Sequence, residues 1–156
     1  QATQIGLTTF PYLAPPNKKM LKVSQTVTLQ ASPTAVWSVV GQFGNAWNPL
    51  IASIKLVGSG VGQLREIETI DGKNMVERLD SIDAAKMTLN YSLVSGIPAK
   101  PYTGSISVSP DKDGCKVTWS VNYRPSGQGE LIVRLIINSL IERGFKALQE
   151  RFGTFQ

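Results

Sequence analysis

The chain has no histidine among its 156 residues. That removes Ser–His–Asp and Cys–His catalysis, histidine-ligated metals and any imidazole proton shuttle. It has one cysteine, Cys115, so neither an internal disulfide nor a multi-cysteine zinc site can form. A single buried thiol reads as a small hydrophobe. No apolar run approaches the ~18 residues that a membrane-spanning helix needs. Basic residues outnumber acidic ones only 16 to 11, and Lys18–Lys19 is their one adjacent pair. A nucleic-acid partner would need clustering on one face, so none is expected. Nothing here implies a metal or a cofactor. What remains is one domain's worth of chain, 42% hydrophobic, long enough to bury a core and keep a hollow inside it.

Residues 1–20 read as an irregular arm, and 21–156 as the folded domain. The run Phe10-Pro11-Tyr12-Leu13-Ala14-Pro15-Pro16-Asn17 is too rich in proline for an element interior. The chain does not open with Met, and two origins of the arm stand open. It could follow a cleaved export signal, which would place the domain outside the cytoplasm, or it could be an added leader ahead of Met20.

From Leu21 the pattern is regular. Leu21, Val23, Val27 and Leu29 take strand-like odd spacing. Ser32-Pro33 is a helix start, an N-cap serine followed by proline at the first helical position. Val36, Val39, Val40 and Phe43 give that helix its apolar face, and Gly44–Pro49 breaks it with room for one further turn. Ile54–Val57 is a short strand. Five more follow over Gln63–Ile70, Asn74–Ile82, Lys86–Val94, Tyr102–Val108 and Cys115–Tyr123. The last three alternate cleanly, as in an antiparallel sheet with one dry and one wet face. Glu130 to Phe152 predicts a long helix. Its start, Leu131 to Ile137, is apolar almost all round, and its second half is amphipathic.

The hairpin at Asp71 gives the sheet an inside. A two-residue loop, Asp71-Gly72, would set Arg65 opposite Arg78 and Glu66 opposite Glu77, and opposed like charges destabilise a sheet. A three-residue loop, Asp71-Gly72-Lys73, sets Glu66 opposite Arg78 instead. Arg65, Ile67, Thr69, Met75, Glu77 and Leu79 then share the more apolar face, with Arg65 and Glu77 diagonal to each other. Charges on a dry face need partners or water. The pair is therefore either a polar anchor in a ligand cavity or an ion pair holding two strands in register. Tyr91, Tyr102, Trp119 and Tyr123 fall on the same face. They either line a wet or ligand-filled interior or pack with their hydroxyls at its rim. Trp47, beside Pro49, is a cavity wall or a loop anchor.

The order of elements, with these motifs, resembles the START-like (SRPBCC, birch-pollen-allergen-like) superfamily. Within it the chain looks most like the polyketide cyclase/dehydrase family, and more distantly like plant abscisic-acid receptors. The matching stretches are Ala31–Val40, Phe43-Gly44 with Trp47-Asn48-Pro49, Gly62–Glu66, Val76–Leu79, Tyr91, Tyr102 and Val117–Trp119. The resemblance implies an α+β helix-grip fold: a curved seven-stranded antiparallel sheet around a long C-terminal helix, with two short helices and an internal cavity. It implies a hydrophobic or amphipathic small molecule as ligand. In the receptor branch the positions matching Glu77, Tyr91 and Tyr102 line the pocket. The loops matching Ile70–Asn74 and Ser95–Lys100 act there as gate and latch. This chain departs from that branch, with Ala52 near the place of the ligand-carboxylate lysine.

Three functions follow as expectations. The first is binding or transport of a small apolar molecule, with Arg65, Glu77, Tyr91 and Tyr102 orienting it. Leu89, Ile106, Val108, Leu135, Ile136 and Leu140 would line the cavity, with Trp47, Leu50, Ile67, Trp119 and Ser139 completing the set. The second is a cofactor-free cyclase, dehydratase or isomerase, with Glu77 as general base and Tyr91 or Tyr102 as oxyanion donor. Arg65 argues against it, because a neighbouring cation favours the charged carboxylate and makes it a weaker base. The third is an interaction module working through the apolar start of the long helix or the proline-rich arm. Monomer and homodimer both stand open.

Overall fold

The computed structural model describes residues 19–127 and 129–154, so the arm lies outside the described residues except for its last two. The elements run β1 (Leu21–Leu29), α1 (Pro33–Val40), β2 (Ile51–Val57), β3 (Leu64–Thr69), β4 (Asn74–Asp83), β5 (Thr88–Ser95), β6 (Ala99–Asp111), β7 (Gly114–Pro125) and α2 (Glu130–Phe152). The seven strands form one curved antiparallel sheet in the order β1-β7-β6-β5-β4-β3-β2. Neighbours in the chain are neighbours in the sheet from β2 to β7, and β1 closes the far edge on β7. Ladder irregularities at Ile51/Ser53, Val76/Glu77 and Leu79/Ser81 bend the β2–β5 half, as extra residues in a strand do.

Local chemistry sets the ends. The Ser32 side chain accepts a hydrogen bond from Ala35 N at 3.2 Å, and Pro33 opens α1. The second short helix expected over Gly44–Pro49 does not form among the described residues. Segment 41–50 takes turns, which the Asn45 side chain supports by donating to the Val39 carbonyl. The chain leaves α2 at Gly153, whose N–H donates to Gln149 O.

The β3–β4 hairpin corrects the predicted register. Its loop is Ile70-Asp71-Gly72, one residue earlier than expected, because Thr69 and Lys73 pair across it. Thr69 N–H donates to Lys73 O at 2.8 Å, and Lys73 N–H donates to Thr69 Oγ1. Thr69 Oγ1 also donates to Asp71, and this bond holds that exposed carboxyl below the usual carboxylate range. Arg65 therefore stands directly opposite Glu77 rather than diagonal to it, and Glu66 faces Val76. Arg78 turns to Asp80 instead, at 3.0 Å.

The core lies between the sheet's concave face and α2. Val133, Ile137, Ile141, Gly144, Phe145 and Leu148 are the buried residues of α2, at helical spacing. One helix face cannot hold every apolar residue of its first two turns. Leu131, Ile132 and Leu135 stay more than half exposed. Gln25 Nε2 donates to Asn138 Oδ1 at 2.8 Å and ties α2 to β1. Cys115 is fully buried, and burial pushes its thiol up, in keeping with a packing role.

Candidate functional site

Five elements converge on one polar cluster at the inner face of the sheet. Direct opposition on β3 and β4 brings Arg65 Nη2 to 3.1 Å from Glu77 Oε2. Arg65 Nη1 donates to the Phe43 carbonyl at 3.1 Å. The guanidinium carbon lies 4.2 Å from the Phe43 ring centroid and 5.2 Å from that of Tyr91, within cation–π range of both. Glu77 is 7% exposed, one of the few polar side chains buried in the core.

Tyr91 owes its position to a gap. Its cross-strand partner is Gly104, and a Cβ there would overlap the Tyr91 ring. With no side chain below it, the ring settles onto the sheet and its hydroxyl accepts a hydrogen bond from Trp119 Nε1 at 2.9 Å. The Tyr102 hydroxyl interacts with that of Tyr91. Burial, then the charge of Glu77, pushes the Tyr91 hydroxyl well above the ordinary tyrosine value. Burial, then Tyr91 and Glu77, does the same to Tyr102. Both remain protonated hydroxyls across the physiological range.

The helix closes the site through a second missing side chain. A Cβ on Gly144 would meet Trp47, Trp119 and Asn48 at 3.0 Å each, so α2 lies against both indoles. The Trp119 ring sits 5.6 Å from Trp47 and 6.2 Å from Phe145, tilted to each. Asn48 is 3% exposed. Its Nδ2 donates to the Leu140 carbonyl of α2 at 2.9 Å, and its Oδ1 accepts from Leu50 N. The loop after α1 is thereby fixed to the helix.

Between these groups is a hollow of about 50 Å³. At the ~30 Å³ each water occupies in the liquid, that is room for about two waters. Of the predicted site residues, Arg65, Ile67, Glu77 and Tyr91 line it, as do Tyr102, Trp119, Trp47 and Leu140. The others do not. Leu89 and Ile106 are buried one cross-strand row away, paired with each other, with Ile106 also paired to Trp119. Val108 is buried farther along β6, opposite Val117. Leu50 and Ile136 are half-buried outside the hollow. Leu135 and Ser139 are exposed, since α2 turns about 100° per residue and Leu140 takes the inward direction.

Six further residues complete the lining: Asn45, Asn48, Ile51, Met75, Leu93 and Ile97. Met75 and Leu93 were legible from strand alternation. The other four come from the loop after α1, the first residue of β2 and the β5–β6 loop, where no periodicity marks the inward residue. At the rim, Gly96 (φ +113°) lets the β5–β6 loop lie on β4. A Cβ there would come 2.5 Å from Asn74 O and 2.7 Å from Met75 Cα. A larger open depression of about 420 Å³ lies on the β2–β4 surface, beside Lys55, Glu66 and Glu68. It holds no buried charged group. Among the described residues no three metal-ligating side chains come together, and no helix is long and apolar enough to cross a membrane.

A seven-stranded sheet gripping a C-terminal helix, with a partly polar hollow between them, defines the helix-grip class. The sequence model of the polyketide cyclase/dehydrase and lipid transport family matches residues 20–153, and the chain belongs to that family. Among solved structures it is similar to XoxI from Bacillus cereus, with 26% identity and a TM-score of 0.78, over 84% of this chain and 94% of that one. A Thermobifida fusca protein gives 25% identity and a TM-score of 0.77, over 85% and 93%. Ara h 8.0201 shares the fold, at 20% identity and a TM-score of 0.71, over 85% and 97%.

Proposed function

We propose that this protein binds a small, largely apolar molecule in the hollow between the sheet and α2, with the molecule's polar end at Glu77, Tyr91 and Tyr102. One observation carries the reading. A buried carboxylate and two buried hydroxyls converge beside Arg65 in a pocket whose remaining walls are mostly apolar. Such a composition suits a site that orients an amphipathic ligand. Polar groups placed in a core cost stability unless they find partners.

The hollow as described is smaller than any such ligand. Entry therefore requires the rim to part, and the seam where Gly96 lies on the backbone of Asn74 and Met75 is one place for it to do so. The general-base reading of Glu77 gains nothing from the geometry. Arg65 already holds Oε2, and among the described residues no second carboxylate lines the hollow.

Native mass spectrometry of the purified chain, beside a denatured and solvent-extracted sample, tests the reading. The expected result is a small apolar adduct that leaves on denaturation, or a gain in melting temperature with added lipophiles. A bare protein that no lipophile stabilises would refute it.

A further inference from the structure

Resting on that binding reading, we infer the class of ligand: a neutral molecule carrying a hydroxyl, an aromatic or alicyclic alcohol, in preference to the corresponding carboxylate. The argument comes from which polar groups at the closed end are already engaged. Arg65 is the cation of the pocket lining, and both of its terminal nitrogens already have a protein partner. One terminal nitrogen is bonded to Glu77 Oε2 and the other to the Phe43 carbonyl. Phe43 and Tyr91 lie against its guanidinium, and its Nε is buried with no partner. Nε is out of reach, so a two-pronged bond to a ligand carboxylate would have to share a terminal nitrogen with Glu77 or with the Phe43 carbonyl. The amides of Asn45 and Asn48 are likewise turned away, donating to the Val39 and Leu140 carbonyls.

What does face the hollow is an acceptor beside two amphoteric hydroxyls. Among the described residues no donor reaches Glu77 Oε1. Tyr91 and Tyr102 can each give or take a hydrogen bond. A ligand hydroxyl can donate to Oε1 and accept from a tyrosine, completing both groups at once. A ligand carboxylate can do neither without setting two like charges together, with the local cation already committed. A hydrocarbon leaves Oε1 unpaired.

The test is isothermal titration of the full chain at about pH 7.5 with probes that share one ring system: 2-naphthol, 2-naphthoate, naphthalene and 2-naphthylmethylamine. Naphthol is expected to bind at least about tenfold more tightly than naphthalene, and about 100-fold more tightly than naphthoate. Glu77→Gln removes the acceptor's charge and frees Arg65. Naphthoate should then gain at least about tenfold while naphthol loses a similar factor. If the variant does not fold, the wild-type ranking decides alone.

Equal affinity for naphthol and naphthalene, tightest binding of naphthoate, or tightest binding of the amine would each overturn the inference and leave the binding reading standing. A co-purified molecule is judged in the same way: an alcohol supports the inference, and an acid overturns it. If every probe fails and the protein also carries no co-purified molecule, the binding reading falls, and this inference with it.

Discussion

Replacing Gly104 with alanine is the sharpest perturbation of the site, because it adds one methyl group and removes nothing. The new Cβ would come within 2.5 Å of Tyr91 Cε1, and closer to Cζ and Oη. Ordinary carbon contacts begin near ~3.5 Å, so the ring must retreat by about 1 Å or more. Both residues are buried and their backbones are fixed by the β5–β6 ladder. A shift of that size breaks the 2.9 Å bond from Trp119 Nε1 to the Tyr91 hydroxyl. Overpacking costs roughly 1–3 kcal/mol and an unmade buried hydrogen bond a similar amount, so the expected loss is about 3 kcal/mol. For a chain of this size that lowers the melting temperature by roughly 6–12 °C. Urea unfolding followed by tryptophan fluorescence measures it. The same substitution in a Tyr91→Ala background, where no ring stands in the way, should cost almost nothing, a coupling of at least about 2 kcal/mol. A single-variant cost below about 0.5 kcal/mol, or the same cost with and without the ring, would show that Gly104 does not seat Tyr91.

Other outcomes follow from the same geometry. Tyr91 and Tyr102 hold their protons more tightly folded than unfolded. Their contribution is complete below about pH 10 and is lost as the pH rises above it. The slope should be up to about 1.4 kcal/mol per tyrosine per pH unit, and Tyr91→Phe should flatten it. A urea midpoint unchanged between about pH 9 and pH 11 would contradict this. Asn48→Ala deletes the bond to the Leu140 carbonyl and the support of Leu50 N. It should cost about 2 kcal/mol and speed amide exchange over residues 45–50. Protection that stays at the wild-type level would mean that this loop is held by something else.

Much of the architecture was legible because it rests on local rules. Alternation in β5, β6 and β7 gave the inner face without error, from Leu89 and Tyr91 to Val121 and Tyr123. Ser32-Pro33 marked the start of α1, and the apolar stripe gave α2 its full extent. The parity of Arg65 and Glu77 was readable too, but not their pairing. The loop was shifted by one residue because the Thr69 side chain reorganises the turn, which a charge-pairing argument cannot foresee. Apolar content also misled at Leu135, where a helix rich in hydrophobics leaves some of them in solvent. Asn45, Asn48 and Ile97 became wall residues through the paths of two loops, a tertiary matter with no period in the sequence. Gly104 and Gly144 were invisible as site residues, since their contribution is the side chain they lack.

The placing of β1 has a consequence for how the chain comes into being. Its partner, β7, lies roughly 100 residues downstream. At cellular rates of synthesis the first strand waits about 5–20 s for the strand that completes it. In that interval β2 to β6 can assemble as an ordered meander, each strand pairing with the one before. Trp119 and Leu140, two walls of the hollow, arrive only with the last segments. The hollow is thus among the last parts of the molecule to exist, and Val23, Val27 and Leu29 stand without their sheet partners until it does.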